Sequence, residues 1–355
     1  MTALDSSYIA PHCSSAALPL IDTHTHFDAP VFDSDRAVQV KKACEQGVRH
    51  LMLVGYLYEH FERLYDIKRL INEQVQVNEN SQAIATPAVA TEAGNQNHSS
   101  PEAHIALGLH PFYITQHTEA HLQSMAKMLT EQCPLAIGEI GLDTFTDEMK
   151  QPHMLAKQEQ FFRAQLDMAV AHQLPVMLHI RKAHAEALAI LKAHDYDAHK
   201  LGGVAHSFSG GEQEAKAFVK LGFKLGVTGQ VTNPNAKKLR RAIQAAVDTY
   251  GLECLVIETD CPDMTPIMCQ HSDSNPSTNN QSALGQSPDN EWGDAPDHNR
   301  NVPANLPWVL LSLSELLDVP PARLAEQLWQ NSCDALRTQW LYPRQSQKLL
   351  LFKVK

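Results

Sequence analysis

Eight short apolar runs, separated by helix-like or polar stretches, constrain this chain more than anything else in it. They fall at 18–26, 48–56, 104–111, 135–143, 174–181, 202–208, 223–232 and 255–262. Between them lie seven stretches of helical character, at 33–47, 59–77, 117–133, 158–173, 183–194, 212–221 and 236–250. The fourth shows the pattern plainly, with Phe161, Phe162, Leu166, Ala169 and Val170 on one face. Strand and helix in alternation make parallel βαβ units. Eight such units suggest a closed (β/α)8 barrel. The expected fold is therefore α/β, a distorted TIM-like barrel.

Two stretches break the pattern. Residues 78–103 are rich in Asn, Gln, Ser, Ala and Thr, and residues 264–297 in Ser, Asn, Asp, Pro and Gln. Both read as low-complexity surface insertions. The second delays the last helix, and two proline-started helices at 303–317 and 320–341 then close the barrel. The expected organisation is a flexible leader at 1–17, one barrel domain at 18–341 and an apolar, basic tail at 342–355.

The chain of 355 residues is 43% hydrophobic, enough for one large core. Its formal charge of -11 argues against a broad nucleic-acid-binding surface, although bound metal ions can supply positive charge locally. The seven cysteines form no CxxC pair and are odd in number, so they read as reduced thiols of a cytoplasmic protein. No apolar run approaches membrane-spanning length, and no basic region precedes an apolar stretch at the N-terminus. No obligate protein partner is evident, and a monomer is expected.

The chemistry gathers where the strands end. Leu18, Leu20 and Ile21 lead into Asp22, His24 and His26. Residues two apart on a strand share a face, so His24 and His26 aim at one spot while Asp22 serves as a structural partner. Glu139 follows in strand four, His179 in strand five, His206 in strand six and Asp260 in strand eight. Barrel enzymes carry their sites at this end of the strands. Six such groups buried singly would each be costly, and a shared metal centre resolves all of them. Four His, one Glu and one Asp are hard or borderline donors, which points to Zn²⁺, Mn²⁺ or Mg²⁺. Six ligands exceed what one catalytic ion with an open position takes, so they suit two ions. Glu139 is the better bridge, because its strand lies midway between the other ligands.

IDTHTHFD, GLHP, GEIGLD, PVMLHIRKAH, HSFSGG and ETDCPDM occur in this order. Together they closely resemble the TatD family of metal-dependent deoxyribonucleases, within the amidohydrolase superfamily, over residues 18–340. The resemblance implies a distorted barrel and hydrolysis of DNA phosphodiesters by a water that two divalent ions activate. It implies one ion at His24, His26 and Asp260, a second at His179 and His206, and Glu139 between them. Asp260 would also orient or deprotonate the water, which makes Asp260 and Glu139 the catalytic pair. His110, in GLHP, is a candidate phosphate contact or proton donor, and Arg181 a candidate phosphate clamp. The alternative is an amidohydrolase-type enzyme cleaving an amide, ester or lactone. Such relatives commonly bridge their metals with a carboxylated Lys, and strand four here offers Glu139 instead.

Overall fold

The computed structural model describes residues 17–83, 100–270 and 299–343, with backbone alone for 74–83. Eight strands form one sheet: β1 (Leu20–Thr25), β2 (Val48–Val54), β3 (Glu102–Leu107), β4 (Ala136–Asp143), β5 (Val176–Arg181), β6 (Val204–Ala205), β7 (Lys224–Val227) and β8 (Leu255–Ile257). They pair in sequence order, and every pair is parallel. Just beyond β8 the sheet returns to β1, where Asp260 N–H donates to His24 O and His26 N–H to Cys261 O, each at 2.9 Å. The fold is the expected (β/α)8 barrel.

The helices are α1 (Arg36–Glu45), α2 (Phe61–Ala83), α3 (Glu119–Gln132), α4 (Pro152–His172), α5 (His184–Ala193), α6 (Ala198–Leu201), α7 (Glu212–Lys220), α8 (Lys237–Tyr250), α9 (Leu306–Leu317) and α10 (Pro321–Leu336). Strand alternation builds two cores. Outward residues such as Leu51, Leu53, Ile105 and Leu107 pack under the helices. Inward residues such as Met52, Val54, Ala106, Met177 and Val256 fill the barrel, where Ala335 and Leu336 at the end of α10 join them.

Several element ends differ from expectation, each for a local reason. Helix α2 runs past residue 77 to Ala83. Strand β3 begins at Glu102, inside the stretch whose composition marked an insertion. Ala103 is fully buried, and the Asn72 side chain bonds both its N–H (2.7 Å) and its C=O (3.1 Å). Helix α4 begins earlier, with Pro152 in its first turn. Strand β7 stops at Val227 and gives way to a 3-10 turn at Gly229–Thr232. Strand β8 stops at Ile257, and Asp260 takes a left-handed backbone with φ of 55°. Residues 264–270 pack onto the turn after β7, where Ile267 N–H donates to Thr232 Oγ1 at 2.9 Å. The leader up to residue 16, residues 84–99 and 271–298, and the tail from 344 lie outside the described residues.

Candidate metal centre

The centre forms because the carboxyl ends of six strands are brought to one mouth. Glu139 stands in the middle of it. Gly108 on the neighbouring segment leaves room, since a Cβ there would meet the backbone of Gly138 and Glu139 at 2.4 Å. Gly141 does the same on the other side, where a Cβ would fall 2.1 Å from His179 O. The Glu139 N–H is held by Gly55 O at 2.8 Å.

Five imidazoles surround the Glu139 carboxylate. His24 Nε2 and His26 Nε2 each lie 3.3 Å from its Oε2. His110 Nε2, His179 Nδ1 and His206 Nε2 lie 3.3, 2.8 and 3.5 Å from its Oε1. The Asp260 carboxylate completes the ring, 3.8 Å from His24, 4.0 Å from His26 and 3.6 Å from His206. The structure thus brings together all six expected donors. It also brings in His110, which was expected as a phosphate contact or proton donor rather than as a donor to the centre. Within this ring, three triads have donor atoms within 4.8 Å of one another: His24–His26–Glu139, His24–His206–Asp260 and His110–Glu139–His179.

The residues fit divalent ions. Glu139 Oε2 and His24 Nδ1 are buried and carry no hydrogen bond. An oxygen so placed, between two imidazole nitrogens and away from water, costs about 1–3 kcal/mol unless something satisfies it. A cation would do so. The donors are imidazole nitrogens and carboxylate oxygens with no thiolate, a set that suits Zn²⁺ or Mn²⁺.

Protonation favours ligation at some positions and opposes it at others. Burial and the neighbouring His206 push the His24 pKa down to about 3. Burial does the same for His206. Both rings therefore present neutral lone pairs. Burial also pushes His179 down, but its bonds to Asp143 and Glu139 outweigh this and hold it at about 9. Burial raises the Glu139 carboxyl too, and His110, His206 and His24 overcome that and keep it ionised. Asp260 goes the other way, well above the usual carboxylate range, because it is buried beside Glu139.

Behind the ring stand carboxylates that the sequence reading passed over. Asp143 Oδ2 lies 2.9 Å from His179 Nε2. Glu258 Oε1 lies 3.0 Å from His206 Nδ1, although the angle is poor for a hydrogen bond, and it accepts from Ser207 N–H. Both acids are buried. A carboxylate behind a ligating imidazole fixes its orientation and tautomer. The signal was present, since Asp143 has the parity of Glu139 along β4 and Glu258 the parity of Asp260. Asp22 takes the structural role expected of it. It accepts from the Thr259 N–H (2.8 Å) and hydroxyl (2.5 Å), and so anchors the turn that carries Asp260.

Asp143→Asn is expected to weaken metal affinity or turnover by about 10–100-fold, because His179 loses the charge that orients it. Calorimetric metal titration of the variant checks this, and unchanged affinity would refute the role.

The mouth opens into a narrow cleft of about 40 Å³. Tyr56, Phe112 and Tyr113 form its aromatic wall beside His110, and Asp263 also lines it. Arg181 does not line the cleft. Its guanidinium covers the Phe145 ring, 3.4 Å from the centroid, at the rim.

A (β/α)8 barrel with such a cluster of His, Glu and Asp at the carboxyl ends of its strands is built as a metal-dependent hydrolase. The family model for TatD-related DNases matches residues 21–337, and the chain belongs to that family. The uncharacterized metal-dependent hydrolase YjjV of Escherichia coli is 34% identical over 247 residues, 69% of this chain and 80% of that protein. A protein named 3′–5′ ssDNA/RNA exonuclease TatD, from Cronobacter turicensis, is 36% identical over 160 residues, 45% of this chain and 57% of that one. Among solved structures, the Escherichia coli YjjV crystal structure superposes with a TM-score of 0.65 at 28% identity, covering 90% of this chain and 98% of its own. A TatD-family hydrolase from Entamoeba histolytica reaches the same TM-score of 0.65 at 19% identity, a likeness of fold.

Proposed function

We propose that the chain is a two-metal phosphodiesterase that trims single-stranded DNA from its 3′ end. The observation that carries this reading is Glu139, which offers one carboxylate oxygen to His24 and His26 and the other to His110, His179 and His206. That arrangement supports a carboxylate shared between two ions. His24, His26 and Asp260 would hold one ion and His179 and His206 the other, with Glu139 shared. When bound, the ions would supply an activated water and neutralise charge on the phosphate.

The chain's own groups do the rest. Burial beside Glu139 pushes the Asp260 carboxyl well above the usual carboxylate range, which suits it to accept a proton from the attacking water. His110 sits where it can donate to the leaving oxygen or complete the ligation of the second ion. The aromatic wall at Tyr56, Phe112 and Tyr113 suits a terminal base, which stacks on aromatic rings without regard to sequence. Duplex DNA would have to fray to reach so buried a ring. The net charge of -11 fits capture of a strand end better than wrapping of a duplex. Arg181, at the rim, would meet a phosphate upstream of the scissile one. Among the described residues no helix is long and apolar enough to cross a membrane. A cytoplasmic monomer is the accompanying proposal, supported by cysteine usage.

The test offers purified protein with Mn²⁺, Mg²⁺ or Zn²⁺ to 5′-labelled single-stranded and duplex DNA, RNA, and a panel of esters and amides. The expected result is a ladder shortening from the 3′ end, faster on single strands than on blunt duplex, and abolished by chelation. Ester or amide turnover with no nucleic-acid cleavage would overturn the reading.

A further inference from the structure

The barrel carries a second group of donors at its opposite end. Alternation along β2 aims His50 into the barrel with Met52 and Val54, and along β3 it aims Glu102 and His104 inward with Ala106. His50 is the ladder neighbour of Glu102, and Met52 of His104. His50 Nδ1 lies 3.1 Å from His104 Nε2. Glu102 Oε2 lies 3.7 Å from the first nitrogen and 3.9 Å from the second.

The two imidazoles are held rigidly. Trp340 stacks on His50 with ring planes 8° apart and centroids 4.0 Å apart, and it lies 4.5 Å from His104. Trp340 is in turn pinned by Trp329, whose indole N–H donates to Trp340 O at 2.8 Å. Preorganised ligands lose little conformational freedom on binding an ion.

We propose that His50, His104 and Glu102 form a structural zinc site on the barrel floor, separate from the catalytic mouth. Zinc holds imidazole nitrogen at about 2.0–2.1 Å and carboxylate oxygen at about 2.0–2.2 Å, so tetrahedral neighbours stand roughly 3.3–3.5 Å apart. The observed separations of 3.1, 3.7 and 3.9 Å bracket that range. Glu102 needs to close by only a few tenths of an ångström, and its side chain, 55% exposed, is free to do so. Without metal the two facing nitrogens share one hydrogen bond. With zinc both present lone pairs, which requires only that the N–H of one ring move to its other nitrogen. Water takes the fourth position. The ion ties β2 to β3, and through the stacked Trp340 it steadies the chain beyond α10.

Crystals grown with Zn²⁺ and measured on both sides of the zinc absorption edge read the site directly. The expected result is an anomalous peak between His50 Nδ1, His104 Nε2 and the Glu102 carboxylate. Peaks at the mouth with none at the floor overturn the proposal. In solution, Glu102→Gln and His104→Gln are each expected to lower the zinc count by one ion per chain by native mass spectrometry. Hydrolysis of bis(p-nitrophenyl) phosphate should be unchanged, and Glu102→Gln, at an exposed side chain, leaves the packing intact. An unchanged zinc count in both variants overturns the proposal. So does a lost ion accompanied by lost hydrolysis in Glu102→Gln, which would place that ion at the mouth.

Discussion

Glu139→Gln is expected to lower metal-dependent hydrolysis by about 1,000-fold while leaving the fold intact. The substitution keeps the size of the side chain and removes its charge. One carboxylate oxygen faces the two imidazoles at the end of β1 and the other faces imidazoles from three further strands, so one atom change weakens both halves of the centre. Metal ions supply several kcal/mol of transition-state stabilisation, and about 4 kcal/mol corresponds to about a thousandfold in rate. A fall of that size in kcat/KM should accompany at least one lost ion in elemental analysis. The buried position gives a second expectation. Glu139 is the negative charge on which five imidazoles converge, and an amide cannot replace it for each of them. The metal-free variant should therefore melt below the metal-free parent protein, because buried imidazoles lose a partner. Turnover within tenfold of the parent, with both ions retained, would refute the bridging role.

The barrel was legible because βαβ units repeat, and eight apolar runs in one chain leave few other closures. The mouth was legible for a related reason. His24, His26, Glu139, His179, His206 and Asp260 each follow an apolar run, and a barrel sends all strand ends to the same place. What the sequence hid depends on distances across the barrel. His110 stood beyond the end of its strand, and nothing in GLHP says that its ring reaches Glu139 Oε1 at 3.3 Å. Asp143 and Glu258 share their motifs with the mouth donors Glu139 and Asp260, and their place behind His179 and His206 is set by distances across the barrel. Strand parity would have found them. The floor cluster was hidden differently. His50 falls within an apolar run, and Glu102 falls in a stretch whose composition resembles the insertion before it. Pairing of β2 with β3 is what sets these residues side by side. The lengths of β6 and β8 were overestimated because the motifs after them are as apolar as strands. Strands β6 and β8 end at Ala205 and Ile257, and left-handed backbones follow at Ser207 and Asp260.

Chelation is expected to lower the melting temperature, and the drop should grow as pH rises from about 6 to 9. A ligand present at a thousand times its Kd stabilises the native state by about 4 kcal/mol. For a chain of this size each kcal/mol shifts melting by about 2 °C, so removing a single tight ion should cost roughly 8 °C. The pH dependence follows from protons that the metal-free centre holds. His179 titrates near 9, burial notwithstanding, because Asp143 and Glu139 favour its charged form. Asp260 keeps its proton well above the usual carboxylate range because burial and Glu139 disfavour its charge. Each ligates in its deprotonated form, so below about 9 ions compete with the proton on His179, and the raised Asp260 carboxyl acts in the same direction. Raising the pH removes the competitor, and affinity should climb by about tenfold per unit for each proton released. His24 and His206 add nothing to this slope, since burial already holds both near 3 and they stay neutral throughout the window. The sign is therefore fixed: tighter binding and a larger difference in melting temperature toward alkaline pH. Paired melting curves with and without chelator, at half-unit steps, test it. A difference that stays flat or shrinks between pH 6 and 9 would mean that the ions bind without displacing protons from His179 and Asp260, and the ligand assignment would have to be redrawn.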